Sequence, residues 1–292
     1  MIKRVSRWKF LGTSRKAVLR AGLAAALLMD QTACSFGFGS FFAQKSENVT
    51  LHMPGARAFI CRSGIREDLI LQVGFFGSAE EFAWVVPVPA RPAVRLADPG
   101  VFDELRRIFN PRIIPGPGTR VSSEPTPAEQ APPPVQIRDV AVIAPSEPGA
   151  LVRWLRSNKF EIPPPAYGII QDYTKRGWYF ITARVRTSPA PVARWLQPLW
   201  IAFPSQRAVL PARLSSLNSR PLVAQLFVAA DVVVQAPGFT EVYRTASPLR
   251  TKYKLNEFPL FFQIVTRDCK LTELRATLEP KQMESDIAIV PR

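Results

Sequence analysis

The chain has 292 residues, 29 of them proline, with 38 Lys+Arg against 23 Asp+Glu, a formal net charge of +15 and one histidine, His52. A Ser/His/Asp triad needs a well-placed His and a metal centre draws on several His, Cys, Asp or Glu side chains, so one His and three Cys leave little material for either. Hydrophobic content of 47% is that of a folded protein and excludes disorder throughout, while proline at about twice its ordinary usage excludes a long helical bundle.

Lys3, Arg4, Arg7, Lys9, Arg15, Lys16 and Arg20 precede an apolar run at 21–29 with no acid among them, the order of an export signal. The run is shorter than the roughly 20 residues that span a bilayer. An uncleaved anchor over 21–43 would hold Asp30 near mid-membrane, at a cost of about 2.5 to 3.5 kcal/mol. Residues 14–20 resemble a twin-arginine motif with Lys16 in place of the second arginine, so general export is the default. Gln31-Thr32-Ala33-Cys34 resembles a lipoprotein cleavage box, and two readings stand: acylation of Cys34, giving a lipid anchor in the membrane, or plain cleavage nearby. Removing 1–33 takes away seven basic residues and Asp30, which leaves 31 basic and 22 acidic side chains, a net of +9. That body suits anionic envelope components such as lipid headgroups or wall polymers, and equally a plain solvated basic surface. With Cys34 acylated, Cys61 and Cys269 remain as a pair in a compartment that permits disulfides. A bridge across so long a loop would contribute about 4 to 5 kcal/mol in the chain-entropy model. The alternative is two buried free thiols.

Residues 34–55 read as a tether, and 56–292 as a single domain. Residues 56–89 have the pattern of a β-meander: Leu69, Leu71, Val73 and Phe75 share one face, Gly77-Ser78 marks a turn, and Phe82, Trp84, Val86 and Val88 share the next face. Pro87 and Pro89 remove two donors on one side, so this strand ends at a sheet edge or leaves the sheet there. Asp98-Pro99 predicts a helix start, Phe102, Leu105, Ile108 and Phe109 its buried face, and Asn110-Pro111 its stop. Residues 111–136 form a Pro-rich insertion with little that could pack, read as a surface loop or a partner-docking segment. Next come a strand over 137–144, helices over 146–157 and 166–176 with Gly177 as the stop, and a strand over 178–186. Further strands are expected at 199–203, 223–235, 260–266 and 271–278. The Trp-containing strands at 82–87 and 199–204, each ending in proline, hint at duplication without a demonstrable period. The fold class is therefore α+β and strand-dominated, with antiparallel sheets, about three helices and one long Pro-rich insertion.

Glu67-Asp68 and Glu80-Glu81 are the acidic pairs, and adjacent residues on a strand point to opposite faces, so neither is by itself a glycosidase dyad. Solvated turns are their expected place. His52, near Pro54-Gly55 in an expected loop, has no second ligand nearby. The aromatic and basic residues of 178–186 and Arg194-Trp195 could stack bases, but nucleic acid is not expected as the partner of an exported protein, and a half-buried face with a basic end explains them as well. No catalytic, metal or cofactor-binding residues emerge, and no cofactor is expected.

At 80–89 the sequence Glu-Glu-Phe-Ala-Trp-Val-Val-Pro-Val-Pro resembles an exported bacterial family known as domain of unknown function 2330. The likeness continues at 141–143, 151–155, 175–180, 210–214, 271–275 and 280–283, and extends from about Ala56 to the end. It implies export and an uncharacterised envelope role, and supplies no catalytic residues. The expectation is a non-enzymatic binding or structural module that meets anionic envelope components or another envelope protein. The alternative is a carboxylate-dependent hydrolase of wall or extracellular polymer.

Overall fold

The structure, a computed structural model, describes residues 38–45, 49–109, 133–188, 190–205, 208–245 and 249–292. The leader, Cys34 and most of the Pro-rich insertion lie outside them. Strands β1 (Ser40–Ala43), β2 (Leu51–His52), β3 (Gly55–Ser63), β4 (Arg66–Gly77), β5 (Glu81–Val88) and β6 (Ala93–Leu96) lead into helix α1 (Gly100–Phe109). There follow β7 (Ile137–Ile143), α2 (Ala150–Ser157), α3 (Pro164–Lys175), β8 (Tyr179–Arg186), β9 (Ala190–Trp195), β10 (Leu199–Pro204) and β11 (Ala208–Leu210). After a 3-10 turn at Arg213–Leu217 come β12 (Leu222–Ala230), β13 (Val234–Gln235) and β14 (Thr240–Arg244). A single helical turn at Leu249–Lys252, helix α4 (Pro259–Ile264), β15 (Lys270–Leu278) and β16 (Ile287–Pro291) complete the chain.

A four-stranded sheet has the order β1-β5-β8-β7, and a larger sheet the order β14-β15-β12-β3-β4-β10-β6, with β2 and β9 also pairing with β4. All these ladders are antiparallel except that between β12 and β3. A small third sheet, β11-β16-β13, closes one side.

The alternation seen in the sequence decides the layering, because successive side chains on a strand face opposite ways. Leu69, Leu71 and Val73 of β4, Leu222, Ala224 and Leu226 of β12, and Phe82, Trp84 and Val86 of β5 all enter the core between the two main sheets. The outer face of the larger sheet carries Phe59, Ile70, Phe227 and Leu271, covered by Phe102, Leu105 and Ile108 of α1 and Phe261 of α4. On the outer face of the smaller sheet, Ala83, Val85 and Phe180 lie under Leu151 and Leu155 of α2 and Ala166, Ile170 and Tyr173 of α3. The arrangement is helix, sheet, sheet, helix, an α+β architecture in which strands dominate.

Several expectations hold. Asp98 Oδ1 accepts the Gly100 backbone N–H at 2.8 Å where α1 begins. Gly177, at φ +77°, ends α3. Pro87 lies beyond the reach of β1, whose pairing with β5 stops at Val85, so its missing N–H breaks no ladder on that side.

Other expectations are corrected. The stretch 34–55 is not a simple tether, since β1 and β2 join the sheets and Phe38, Phe42 and Met53 are buried. The meander does not continue from β4 to β5: at Gly77 the chain crosses from one sheet to the other. Its φ of +151° is open to glycine, and an added Cβ would lie 1.9 Å from the Thr50 carbonyl oxygen. The strand expected over 223–235 stops at Ala230, and Val234 enters the small third sheet instead. Residues 260–266 are not a strand: α4 occupies 259–264, with Pro259 at its first turn and the Glu104 carboxylate accepting the N–H groups of Leu260 at 3.2 Å and Phe261 at 2.7 Å.

The expected bridge between Cys61 and Cys269 is not formed, and both are free, buried thiols. They share the outer core of the larger sheet, but β12 runs between β3 and β15. Two strand spacings amount to roughly 9.5 Å, beyond the ~7 Å over which Cα atoms can be bridged. The Cys61 thiol instead donates to the Ile264 carbonyl at 3.6 Å.

Candidate functional site

A cleft of about 500 Å³ opens where β1, β5 and β8 end, and Gln44, Ser78, Glu80, Glu81, Arg186 and Thr187 contribute to its lining. Glu81 begins β5 directly opposite Arg186 of β8. Its carboxylate accepts hydrogen bonds from Arg184, including one from Nε at 3.1 Å, and forms an ion pair with Arg186 Nε at 3.3 Å. Burial works against its charge, but the hydrogen bonds and charges of the two arginines prevail and hold the Glu81 carboxyl below its ordinary range. A general acid in glycoside hydrolysis needs a raised value. Glu81 is tuned the other way.

The other acidic pair is not in a solvated turn. Glu67 and Asp68 lie within β4 at 0% and 8% exposure. Asp68 accepts from Arg66 Nε at 2.8 Å and from Trp200 Nε1 at 2.8 Å, while Arg95 stacks on the Trp200 ring 3.6 Å from its centroid. Asp68 thereby ties β4 to Trp200 of β10, and Arg95 of β6 packs on that ring.

A second cleft, of about 310 Å³ with mostly apolar walls, opens on the helix-covered side of the larger sheet. One rung of that sheet is polar: Gln72 of β4, Arg57 of β3, Gln225 of β12 and Arg275 of β15 stand side by side in register. Buried Gln72 donates through Nε2 to the Leu196 carbonyl at 2.7 Å and accepts from Arg57 Nε at 2.6 Å. Gln225 donates to Glu273 at 2.7 Å, and Arg275 donates to the same carboxylate oxygen at 2.6 Å. The Arg57 guanidinium lies between two aromatic rings, 4.4 Å from the Phe102 centroid and 4.8 Å from that of Trp195.

Trp195 reaches Arg57 because its register partner on β4 is Gly74, which has no side chain to stand between them. Burial pulls the Arg57 guanidinium down to about 10, with Arg106 acting in the same direction and Asp103 opposing. It remains charged at neutral pH. Asp103 itself is ion-paired with Arg106. Among the described residues, no carboxylate lies within ion-pair distance of Arg57, unlike Arg66, Arg184, Arg213 and Arg275.

The sequence had grouped Arg194-Trp195 with 178–186, and the structure separates them. Trp178 is buried beneath α3, stacked on Tyr173, and Arg184 and Arg186 hold Glu81. Arg194 and Trp195 line the Arg57 cleft, and Arg194 also donates to Thr187 Oγ1 at 3.2 Å, at the edge of the larger cleft. His52 is in β2 rather than a loop, with its ring 5.0 Å from that of Phe76. No group of three metal-ligating side chains occurs among the described residues. Cys34 lies outside them. Burial pushes the Cys61 thiol up to about 12, with Cys269 and Asp68 adding to it, and burial likewise pushes Cys269 up to about 12. Both are protonated and poor nucleophiles at neutral pH. Arg57, Gln72 and Gln225 were not singled out from the sequence. Their only signal was a polar residue at a core-facing position on each of three strands.

A family model described as an uncharacterised protein conserved in bacteria, DUF2330, matches residues 31–238. The match begins earlier and ends earlier than the resemblance in the sequence, leaving the motifs at 271–275 and 280–283 outside it. Among curated proteins none matches the chain. A crystal structure of baculovirus P35 is similar with a TM-score of 0.34 at 8% identity, over 83% of this chain and 96% of that one, too weak a likeness to assign fold or role.

Proposed function

Because the chain belongs to this DUF2330 family of uncharacterised bacterial proteins, from which no chemistry can be inherited, we propose that it is an exported, non-enzymatic binding module of the cell envelope. Its partners are anionic envelope components, met through a body that keeps a net charge of +9 once 1–33 are removed. Acylation of Cys34 would supply its tether.

The observation that carries this reading is the pairing of Glu81 with Arg184 and Arg186 in the cleft of about 500 Å³. The carboxylate best placed to serve a hydrolase is held ionised by two fixed cations, an arrangement suited to structure and contact rather than to proton transfer.

Crosslinking in intact cells, followed by identification of the partners and mass analysis of the mature amino terminus, tests the reading. The expected result is an envelope partner and a mature chain beginning at or near Cys34. Recovery with cytoplasmic proteins and an intact leader would overturn it. Release of soluble fragments from purified wall polymer, abolished in Glu81→Gln, would reinstate the hydrolase.

A further inference from the structure

We propose that the Arg57 cleft is a ligand site for an organic oxyanion, a carboxylate or phosphate group carried on a small flat or apolar body. The inference names a ligand class for the binding module and to that extent rests on the binding reading.

Four observations converge on it. The Arg57 guanidinium is clamped between Phe102 and Trp195 and fixed by Gln72, so its direction is set before any ligand arrives. Its Nε is engaged with Gln72, and among the described residues its two terminal nitrogens make no hydrogen bond. They are the two parallel donors that suit a carboxylate or phosphate edge. No carboxylate among the described residues neutralises the cation, and the one acid that acts on it, Asp103, is held by Arg106. A largely desolvated charge without a counter-ion is costly, and replacing such a group by an apolar one is often stabilising. A fold that keeps one at a cleft has room for an external anion.

The fourth observation is the shape of the cleft. At about 310 Å³ it lies at the lower end of ligand pockets, roughly 300 to 1,000 Å³. Pro54, Gly55, Gly74 and Val223 give it apolar walls, with the Trp195 ring alongside. An inorganic ion would leave those walls wet, whereas a ring or short apolar chain attached to the anion would cover them.

The test is calorimetric titration of the full mature protein with phenyl phosphate, benzoate, inorganic phosphate and benzyl alcohol. The aromatic anions are expected to bind more tightly than inorganic phosphate, which lacks the apolar body, and than benzyl alcohol, which lacks the charge. Arg57→Met should weaken them by about tenfold or more, ~1.4 kcal/mol, while melting at the same temperature or higher. Trp195→Leu, a change on a partly exposed strand, should weaken the aromatic anions and leave inorganic phosphate unaffected, which keeps the test decisive should Arg57→Met fail to fold. Vesicles of phosphatidylglycerol against phosphatidylcholine distinguish a lipid headgroup from a soluble source. Arg57-dependent binding to the anionic vesicles assigns the lipid, and binding of the aromatic anions alone assigns a soluble ligand.

Equal affinity for benzyl alcohol and benzoate, or full affinity in Arg57→Met, would overturn the proposal. The envelope crosslinks are read in cells and the titration on purified protein, so failure of either is seen separately from the other.

Discussion

At the residue scale, the positions that tolerate least are those where backbone meets backbone. Gly77 has a φ of +151°, and a Cβ there would lie 1.9 Å from the Thr50 carbonyl oxygen, with main chain that cannot rotate away. Gly77→Ala is expected to destabilise the protein by about 3 kcal/mol or more, read as a lowered thermal midpoint. The Gly77-Ser78 turn was legible in the sequence, but the change of sheet at that turn was not, because it depends on Thr50 lying across it. His52 gives a pH signature. Burial, with Arg220 adding to it, lowers its value below the ordinary 6.5. On acidification the unfolded chain therefore takes up this proton before the folded one does, so stability is complete above about pH 7 and falls as pH drops through roughly 6.5. It is the one histidine in the chain. Urea unfolding at a series of pH values should show that decline in the native protein and a shallower one in His52→Gln.

At the scale of elements, α4 shows why an apolar run misleads. Phe258-Pro259-Leu260-Phe261-Phe262-Gln263-Ile264-Val265 carries too few residues for its periodicity to separate a buried strand from a buried helix. The signal that could have decided was Pro259, in the first turn, where a missing N–H is harmless. What fixes the helix lies in another element: the buried Glu104 carboxylate of α1 receives the first N–H groups of α4. Glu104→Ala should cost about 2 kcal/mol, through lost capping and buried donors left without an acceptor, and α4 should then exchange its amide hydrogens faster than α1. The thiols belong to the same scale. Cysteine count and compartment supported a bridge, but strand order decided against it, since β12 separates the two strands concerned. Thiol titration of protein denatured without reductant should find Cys61 and Cys269 both reactive, and the native protein should react slowly at either.

At the scale of the whole molecule, the sequence showed which faces of each strand are buried, because alternation is local. It did not show which sheet each strand joins. β4 and β5 are consecutive and share the same apolar pattern, yet they face each other across the core. The Arg57 cleft was hidden for the same reason. Arg57, Gln72 and Gln225 are isolated polar residues in sequence and become one rung only when the register of β3, β4 and β12 is known. A chain ending at Val265 would lack β15, leaving β12 and β14 without their shared neighbour. That truncation is expected to abolish cooperative melting rather than lower its midpoint, as circular dichroism on heating would show.

The parallel ladder between β3 and β12 sets the order in which this protein can be built. Residues 55–61 rest against 223–229, so the middle of the larger sheet cannot close until a strand far along the chain has been made. Then β15, close to the carboxyl end, must dock on β12 before its outer edge is protected. Contacts of such sequence separation form slowly, because a long loop must close before they contribute. On the ribosome, a chain of this design keeps the middle of its larger sheet open until residues 222–278 have emerged, however early β3 and β4 were made.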